Sequence, residues 1–284
     1  MTRIQHHSPH YEQKGNGNFD LAYHLEMVSD QERVSLFKKG IDKVIDKNTI
    51  FCDLGCGTGI FTIYAARKAK KVYAVECDEN ILSIAIKNIK KFGLSEKISF
   101  IHGDALTVAL PEKVDVVFCE MLSIWLIEEP QVLMMNHARK SLLKPGGITI
   151  PEKVINLSEL CNVDYVFDNI EIKSCIPQFT GIKHPRIMTE SKVFKVISFN
   201  EINSREVSGS IEFKLLTSGL VNSARLSSII KIVDGVNFYN TDSLMPLTIV
   251  PLKNELYVKE GQKINFSSTY KHRDSLANAS FKIR

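Results

Sequence analysis

Between residues 51 and 59 the chain reads Phe-Cys-Asp-Leu-Gly-Cys-Gly-Thr-Gly, and little else in it limits the fold so strongly. An apolar run ends, glycines follow at Gly55, Gly57 and Gly59, and a segment of helical composition begins. Glycine lets the backbone turn tightly and lets a ligand approach it closely. A strand that passes through such a turn into a helix directs backbone N–H groups at whatever binds there. Dinucleotide-binding folds use the same physics with the spacing GxGxxG. Here the spacing is GxGxG, and Asp53 precedes the first glycine by two positions.

The surrounding pattern alternates strand and helix. Val34, Phe37, Ile41 and Val44 recur at intervals of three and four, predicting an amphipathic helix over 30–45. Strands are expected at 49–54, 71–76, 97–102 and 114–119, and helices at 60–70, 79–92 and 132–143, the last ending at LKPGG. The run at 114–119 is almost wholly β-branched or aromatic, as in a strand covered on both faces. Alternation of this kind predicts a parallel sheet with right-handed crossovers.

Beyond Pro151 the helical periodicity fades, and short alternating segments take over at 154–160, 207–215, 227–233, 247–250, 264–268 and 279–283. The expected fold class is therefore α/β: a Rossmann-like domain, then a β-rich barrel-like or sandwich domain. The expected divisions are a flexible segment over 1–20, a ligand-binding domain over 21–150 and a β-rich domain over 151–284, with a cleft between the two domains.

Composition narrows the rest. The 284 residues are 44% hydrophobic, enough for a substantial core. No apolar run reaches the roughly 20 residues of a spanning helix, so no membrane role is expected. The first residues lack the apolar stretch of a secretory signal, which gives the expectation of a cytoplasmic protein. A net charge of +4 permits a nucleic-acid partner without arguing for one. Six cysteines contain no CxxC pair, so no zinc or thioredoxin motif is expected. His6, His7 and His10 lack a nearby carboxylate or thiol partner, and no metal site is assigned to them.

Glu76 stands at the end of the second expected strand, 21 residues beyond Gly55, near the interval at which an acid meets ribose hydroxyls in dinucleotide sites. Gly103-Asp104 follows the third. With Asp53 and the glycines, this order resembles the class I methyltransferases that use S-adenosylmethionine (SAM). The resemblance implies a loop backbone against the methionine part, Glu76 on the ribose and Asp104 near the adenine.

The segment after the fourth strand bears on the methyl acceptor. It lacks the Asn/Asp-Pro-Pro-Tyr/Phe motif of many nucleic-acid amino methyltransferases and reads Glu-Met-Leu-Ser-Ile-Trp-Leu-Ile-Glu-Glu from Glu120 to Glu129. Nine positions along a straight helix would place these two glutamates on opposite faces. Both reach one point only if the segment folds back as a loop. It resembles the "double-E loop" of the protein arginine N-methyltransferases. A second match is His24-Leu-Glu-Met-Val-Ser-Asp-Gln-Glu-Arg33, similar to that family's N-terminal signature; looser ones are LKPGG through Pro151 and LKNELYVKEGQKI over 252–264.

The resemblance implies Arg33 on the SAM carboxylate, Met27 at the transfer channel, Asp30 on the acceptor side, and Glu120 and Glu129 gripping a guanidinium. Spacing favours Glu129 over Glu128. It implies a protein or peptide arginine substrate; a small molecule or RNA base as acceptor, or SAM binding without catalysis, are the alternatives. Two departures stand out. Where the family carries Thr-His-Trp, this chain reads Ser-Leu-Met-Pro over 243–246, so Asp30 is expected to lack the family's histidine partner. The region matching the family's dimerisation arm, 162–203, is short, which leaves a homodimer open.

Overall fold

A computed structural model describes residues 19–179, 184–241 and 244–284. His6, His7 and His10 lie outside the described residues, as do 1–18 of the segment expected to be flexible. The first half opens with two helices, α1 (Leu21–Ser29) and α2 (Gln31–Val44), separated only by Asp30. Asp30 makes that break: its carboxylate accepts the Arg33 backbone N–H and caps α2. There follow β1 (Ile50–Leu54), α3 (Ile60–Ala66), β2 (Lys71–Glu76), α4 (Glu79–Lys91), β3 (Ile98–His102), β4 (Val114–Phe118), α5 (Gln131–His137) and β5 (Leu143–Ile150). The five strands form one parallel sheet in the order β3-β2-β1-β4-β5. Every residue of β1 is buried, as its apolar sequence requires.

In the first half, two helix ends differ from the sequence reading by several residues. The helix expected over 60–70 ends at Ala66, where a polar run from Arg67 to Lys71 has no apolar stripe left to bury. The helix expected over 132–143 is α-helical only to His137; it widens to π-type turns over Ala138–Leu142, and LKPGG enters a strand.

The second half is almost entirely strand. It comprises β6 (Lys153–Asn162), β7 (Val166–Phe167), β8 (Ile170–Glu171), β9 (Ile176–Gln178), β10 (Arg186–Ile187), β11 (Lys192–Ser198), β12 (Glu206–Lys214), β13 (Gly219–Val233), β14 (Val236–Tyr239), β15 (Leu247–Val258), β16 (Lys263–Lys271) and β17 (Ser280–Ile283). A seven-stranded sheet runs β10-β6-β13-β15-β9, with β11 on β6 and β14 on β13; a three-stranded sheet runs β12-β16-β17. Strands β6 and β13 carry much of the alternating burial expected of a sheet with one covered face.

The hydrophobic interior does not divide where the sheets do. One core holds the parallel sheet and helices together with Ile230, Ile232, Val236, Phe238 and Met245 from beyond Pro151. Phe37 of α2 sits at its centre, with its ring within 6 Å of the rings of Phe61, Phe118 and Phe238. A second core lies between the two β-rich sheets and receives Ile124, Trp125 and Ile127 from the segment after β4. Residues 120–129 thus bridge both cores, with Leu122 and Leu126 in the first.

Candidate active site

Gly55, Gly57 and Gly59 all have positive φ, at 86°, 52° and 88°. A side chain at the first two would also displace a neighbour: the movable end of Met121 at Gly55 and the His24 ring at Gly57. A Cβ on Gly55 would lie 2.5 Å from the Met121 methyl, and one on Gly57 would lie 2.9 Å from the His24 ring. Glu76, at the carboxyl end of β2, ties this turn to its own strand: Oε2 accepts the Gly57 N–H (2.9 Å), while Oε1 accepts those of Cys77 (2.8 Å) and Asp78 (3.0 Å). The carboxylate therefore sits at the glycine turn, at the sheet's carboxyl edge where open α/β folds bind ligands.

Asp53 lies one layer deeper, fully buried. It accepts a 2.5 Å hydrogen bond from the Thr62 hydroxyl of α3. Burial, opposed by Thr62 and reinforced by Glu76, pushes its carboxyl up to about 7. It braces the turn from beneath. Asp104 is exposed, and its carboxylate accepts the Leu106 N–H. It adjoins Glu76 through the Gly103 N–H, which donates to the Glu76 carbonyl.

Helices α1 and α2 cover the turn. A cavity between α1 and the turn is lined by Tyr23, His24, Met27, Gly55, Gly57 and Glu120, among others. Arg33 is 1% exposed and spans this region. Its Nη1 lies 3.6 Å from Glu120 Oε1, its Nε 3.7 Å from Asp30 Oδ2, and the guanidinium lies over the Phe238 ring. Burial works against its charge, but Glu120, Tyr23, Asp30 and Glu129 outweigh burial and hold the group above its usual pKa. The Nε and Nη2 protons have no hydrogen-bond partner.

Residues 120–129 do fold back. After Ser123 the chain makes one 3-10 turn, with left-handed backbone at Trp125 and Leu126. The Ser123 hydroxyl accepts the N–H groups of both Glu128 and Glu129 and closes the loop. Gln131 clasps its other end, accepting from Met121 N and donating to the Cys119 carbonyl. Glu129 turns inward: it is 6% exposed, Tyr23 donates a 2.9 Å hydrogen bond to its Oε1, and Oε2 is left without a partner. Glu128 turns the other way and accepts the Leu276 backbone N–H. Burial and then the Glu120 charge push Glu129 up to about 8, against the pull of Tyr23 and Arg33. Glu120 is also raised, by burial, with Arg33 opposing.

The fold therefore gathers Tyr23, Met27, Gly55, Gly57 and Glu120 around one cavity, with Arg33 joined through Glu120, Glu129 through Tyr23, and Glu76 behind Gly57. Asp30, Asp53, Gly59 and Asp104 stand outside that lining. Asp30 has a partner that the sequence did not disclose: Thr241 donates to its Oδ2 at 2.9 Å. Tyr23 and Gln131 also went unassigned. Tyr23 adjoins the recognised His24, the only signal that could have found it; Gln131 and Thr241 carry none.

The site suits SAM in its donor set. Arg33 Nη2 is buried without a hydrogen-bond partner, a donor that an anion such as the amino-acid carboxylate would satisfy. A buried acid at the end of β2 suits ribose hydroxyls, and the cradle at Gly57 has no space for a Cβ.

Comparison with known proteins agrees. A family profile described as a methyltransferase domain matches residues 51–147. The uncharacterised protein MJ1452 of Methanocaldococcus jannaschii is 34% identical over 248 residues, covering 86% of this chain and 91% of that protein. Protein arginine N-methyltransferase 1.1 of Arabidopsis thaliana is 30% identical over 213 residues, 68% of this chain; the chain spans 54% of that relative's length. Among solved structures, a Trypanosoma brucei PRMT1 enzyme-prozyme heterotetrameric complex with AdoHcy matches the fold at a TM-score of 0.74 and 19% identity, over 92% of this chain and 96% of that one. Arabidopsis thaliana protein arginine methyltransferase 10 matches at 0.73 and 17%, over 88% and 87%. The chain thus belongs to one family with MJ1452, and it is a class I SAM-dependent methyltransferase resembling the protein arginine N-methyltransferases.

Proposed function

We propose that this protein transfers the SAM methyl group to a guanidinium nitrogen of arginine in a protein or peptide. The observation that carries the reading is the pair of inward glutamates. Glu129 is buried and the Glu120 side chain is 7% exposed; Glu129 Oε2 has no hydrogen-bond partner, Glu120 Oε1 faces only Arg33 at 3.6 Å, and the two lie close enough for Glu120 to raise Glu129. Two adjoining buried carboxylates are costly unless a cation joins them. A planar cation with several N–H donors fits that demand better than a neutral hydroxyl or a base edge.

Residues 21–150 would serve the cofactor and 151–284 the acceptor side. On the cofactor side, Arg33 would take the carboxylate, Glu76 the ribose hydroxyls, and the backbone at Gly55, Gly57 and Gly59 the methionine part. Asp53 would brace the turn and Asp104 would stand toward the adenine. SAM, when bound, supplies an electrophilic methyl on a sulfonium. The protein's share is to hold the acceptor. Glu120 and Glu129 would fix the guanidinium charge on two nitrogens and leave electron density on the third, while Met27 would wall its approach. Asp30, held by Thr241, would face the acceptor side. As the methyl leaves sulfur and the N–C bond forms, the nitrogen gives up a proton; Glu129, ionised once the guanidinium charge lies beside it, would be placed to take that proton. Orientation and electrostatics would supply most of the acceleration. None of the six cysteines forms a disulfide, which accords with a reducing compartment such as the cytoplasm.

Transfer of labelled methyl from SAM into cell extract, fractionated into protein, RNA and small molecules, tests the reading. Label should enter protein and arginine-rich peptides. Glu120→Gln should lower turnover by about a hundredfold while SAM still binds. Label found only in RNA or metabolites would point to the other acceptor class.

A further inference from the structure

The 120–129 loop holds two non-glycine residues, Trp125 (φ 54°) and Leu126 (φ 58°), in the left-handed region. Such a conformation persists only where its surroundings enforce it. The enforcement comes from the β-rich half of the chain. Asn156 of β6 donates through Nδ2 to the Trp125 carbonyl (3.1 Å). The Ser228 hydroxyl of β13 accepts the Trp125 N–H (3.3 Å) and donates to Asn156 Oδ1 (3.0 Å). His272, just after β16, meets the Leu126 carbonyl at 2.7 Å through Nδ1; a carbonyl only accepts, so Nδ1 carries the proton. The Trp125 indole N–H is shared between the Leu157 and Ser227 carbonyls, and its ring stacks on Phe194 at 4.7 Å. Asn156, Ser228 and His272 are each no more than 1% exposed.

We infer that Asn156, Ser228 and His272 are positioning residues that hold Trp125 and Leu126 in the strained turn and thereby set the separation of Glu120 and Glu129. The inference rests on the reading of those glutamates as the acceptor grip. None of the three lines the cofactor cavity. The same strand pairing also reaches the acceptor side: Asn240 accepts the Ser228 N–H, and the next residue, Thr241, donates to Asp30.

Trp125 is the only tryptophan, so its fluorescence reports this turn with no substrate present. In the full chain, His272→Ala should shift Trp125 emission to the red and raise acrylamide quenching, with unchanged far-UV circular dichroism. SAM affinity should stay within about twofold, while kcat/KM on an arginine-rich peptide falls about tenfold. His272→Asn, whose amide can donate to the Leu126 carbonyl, should restore both. Should His272→Ala fail to fold, Ser228→Ala carries the same expectations with a smaller change of shape. Unaltered Trp125 emission, a parallel loss of SAM affinity, or a fluorescence change with undiminished kcat/KM would overturn the inference. A wild-type chain inert on the peptide would instead remove the arginine reading, and the fluorescence arm would still judge the clamp.

Discussion

In the proposed reading, Glu129 grips the acceptor from the end of the loop. Burial and the Glu120 charge push its carboxyl up to about 8, against the Tyr23 hydrogen bond and the nearby Arg33 charge. A carboxyl raised in the folded state stabilises the fold fully below its unfolded pKa and loses that contribution as pH climbs through the folded value. Stability should therefore drain away between roughly pH 4.5 and 8 at this position. Glu129→Gln keeps an acceptor for Tyr23 and cannot ionise. Its Tm should exceed that of the wild type by a few degrees above about pH 8, with the gap closing toward about pH 5. Thermal scans across that range measure it, and a pH-independent gap would contradict the assignment. The family resemblance favoured this glutamate over Glu128 on spacing. Its Tyr23 partner was not legible, since the two stand 106 positions apart and meet only through the fold.

At the scale of elements, glycines separate what spacing reveals from what packing decides. Gly57 belongs to a turn readable from sequence. Its φ of 52° and the 2.9 Å approach of His24 predict that Gly57→Ala weakens SAM binding by about tenfold or more. Titration calorimetry measures the loss, which should exceed any effect on Tm. Gly40 is the opposite case. It interrupts the polar and apolar pattern of α2, and helix propensity alone says that alanine should gain about 1 kcal/mol there. A Cβ would instead lie 2.3 Å from Ile232 Cγ2, on a β-branched side chain with little freedom to yield. Gly40→Ala should destabilise the chain by about 1–2 kcal/mol in denaturant titration.

For the whole molecule, the shared core matters more than the change of sheet. The parallel sheet ends at Ile150 and the next strand starts at Lys153, yet Phe37 and Ile41 of α2 share a core with Ile230, Ile232 and Phe238. A fragment ending at Ile150 would expose that face of α2. It should aggregate or stay molten, and the full chain should unfold in one calorimetric transition. Two well-separated transitions would show that the halves are energetically independent. Among the described residues, no helix is long and apolar enough to cross a membrane.

The parallel sheet, the glycine turn and the acid at the end of β2 could be read from the chain because each depends on local order: apolar period, residue type and short spacing. The loop from Glu120 to Glu129 was recognisable by its resemblance to a family motif, whose spacing favoured Glu129 over Glu128. Its left-handed turn was not, because Trp125 and Leu126 adopt that backbone only under hydrogen bonds from Asn156, Ser228 and His272. Nor was the pairing of Asp30 with Thr241, across 211 positions. Contacts of that length are chosen by how two sheets pack, and packing sums over the whole chain rather than over any window of it.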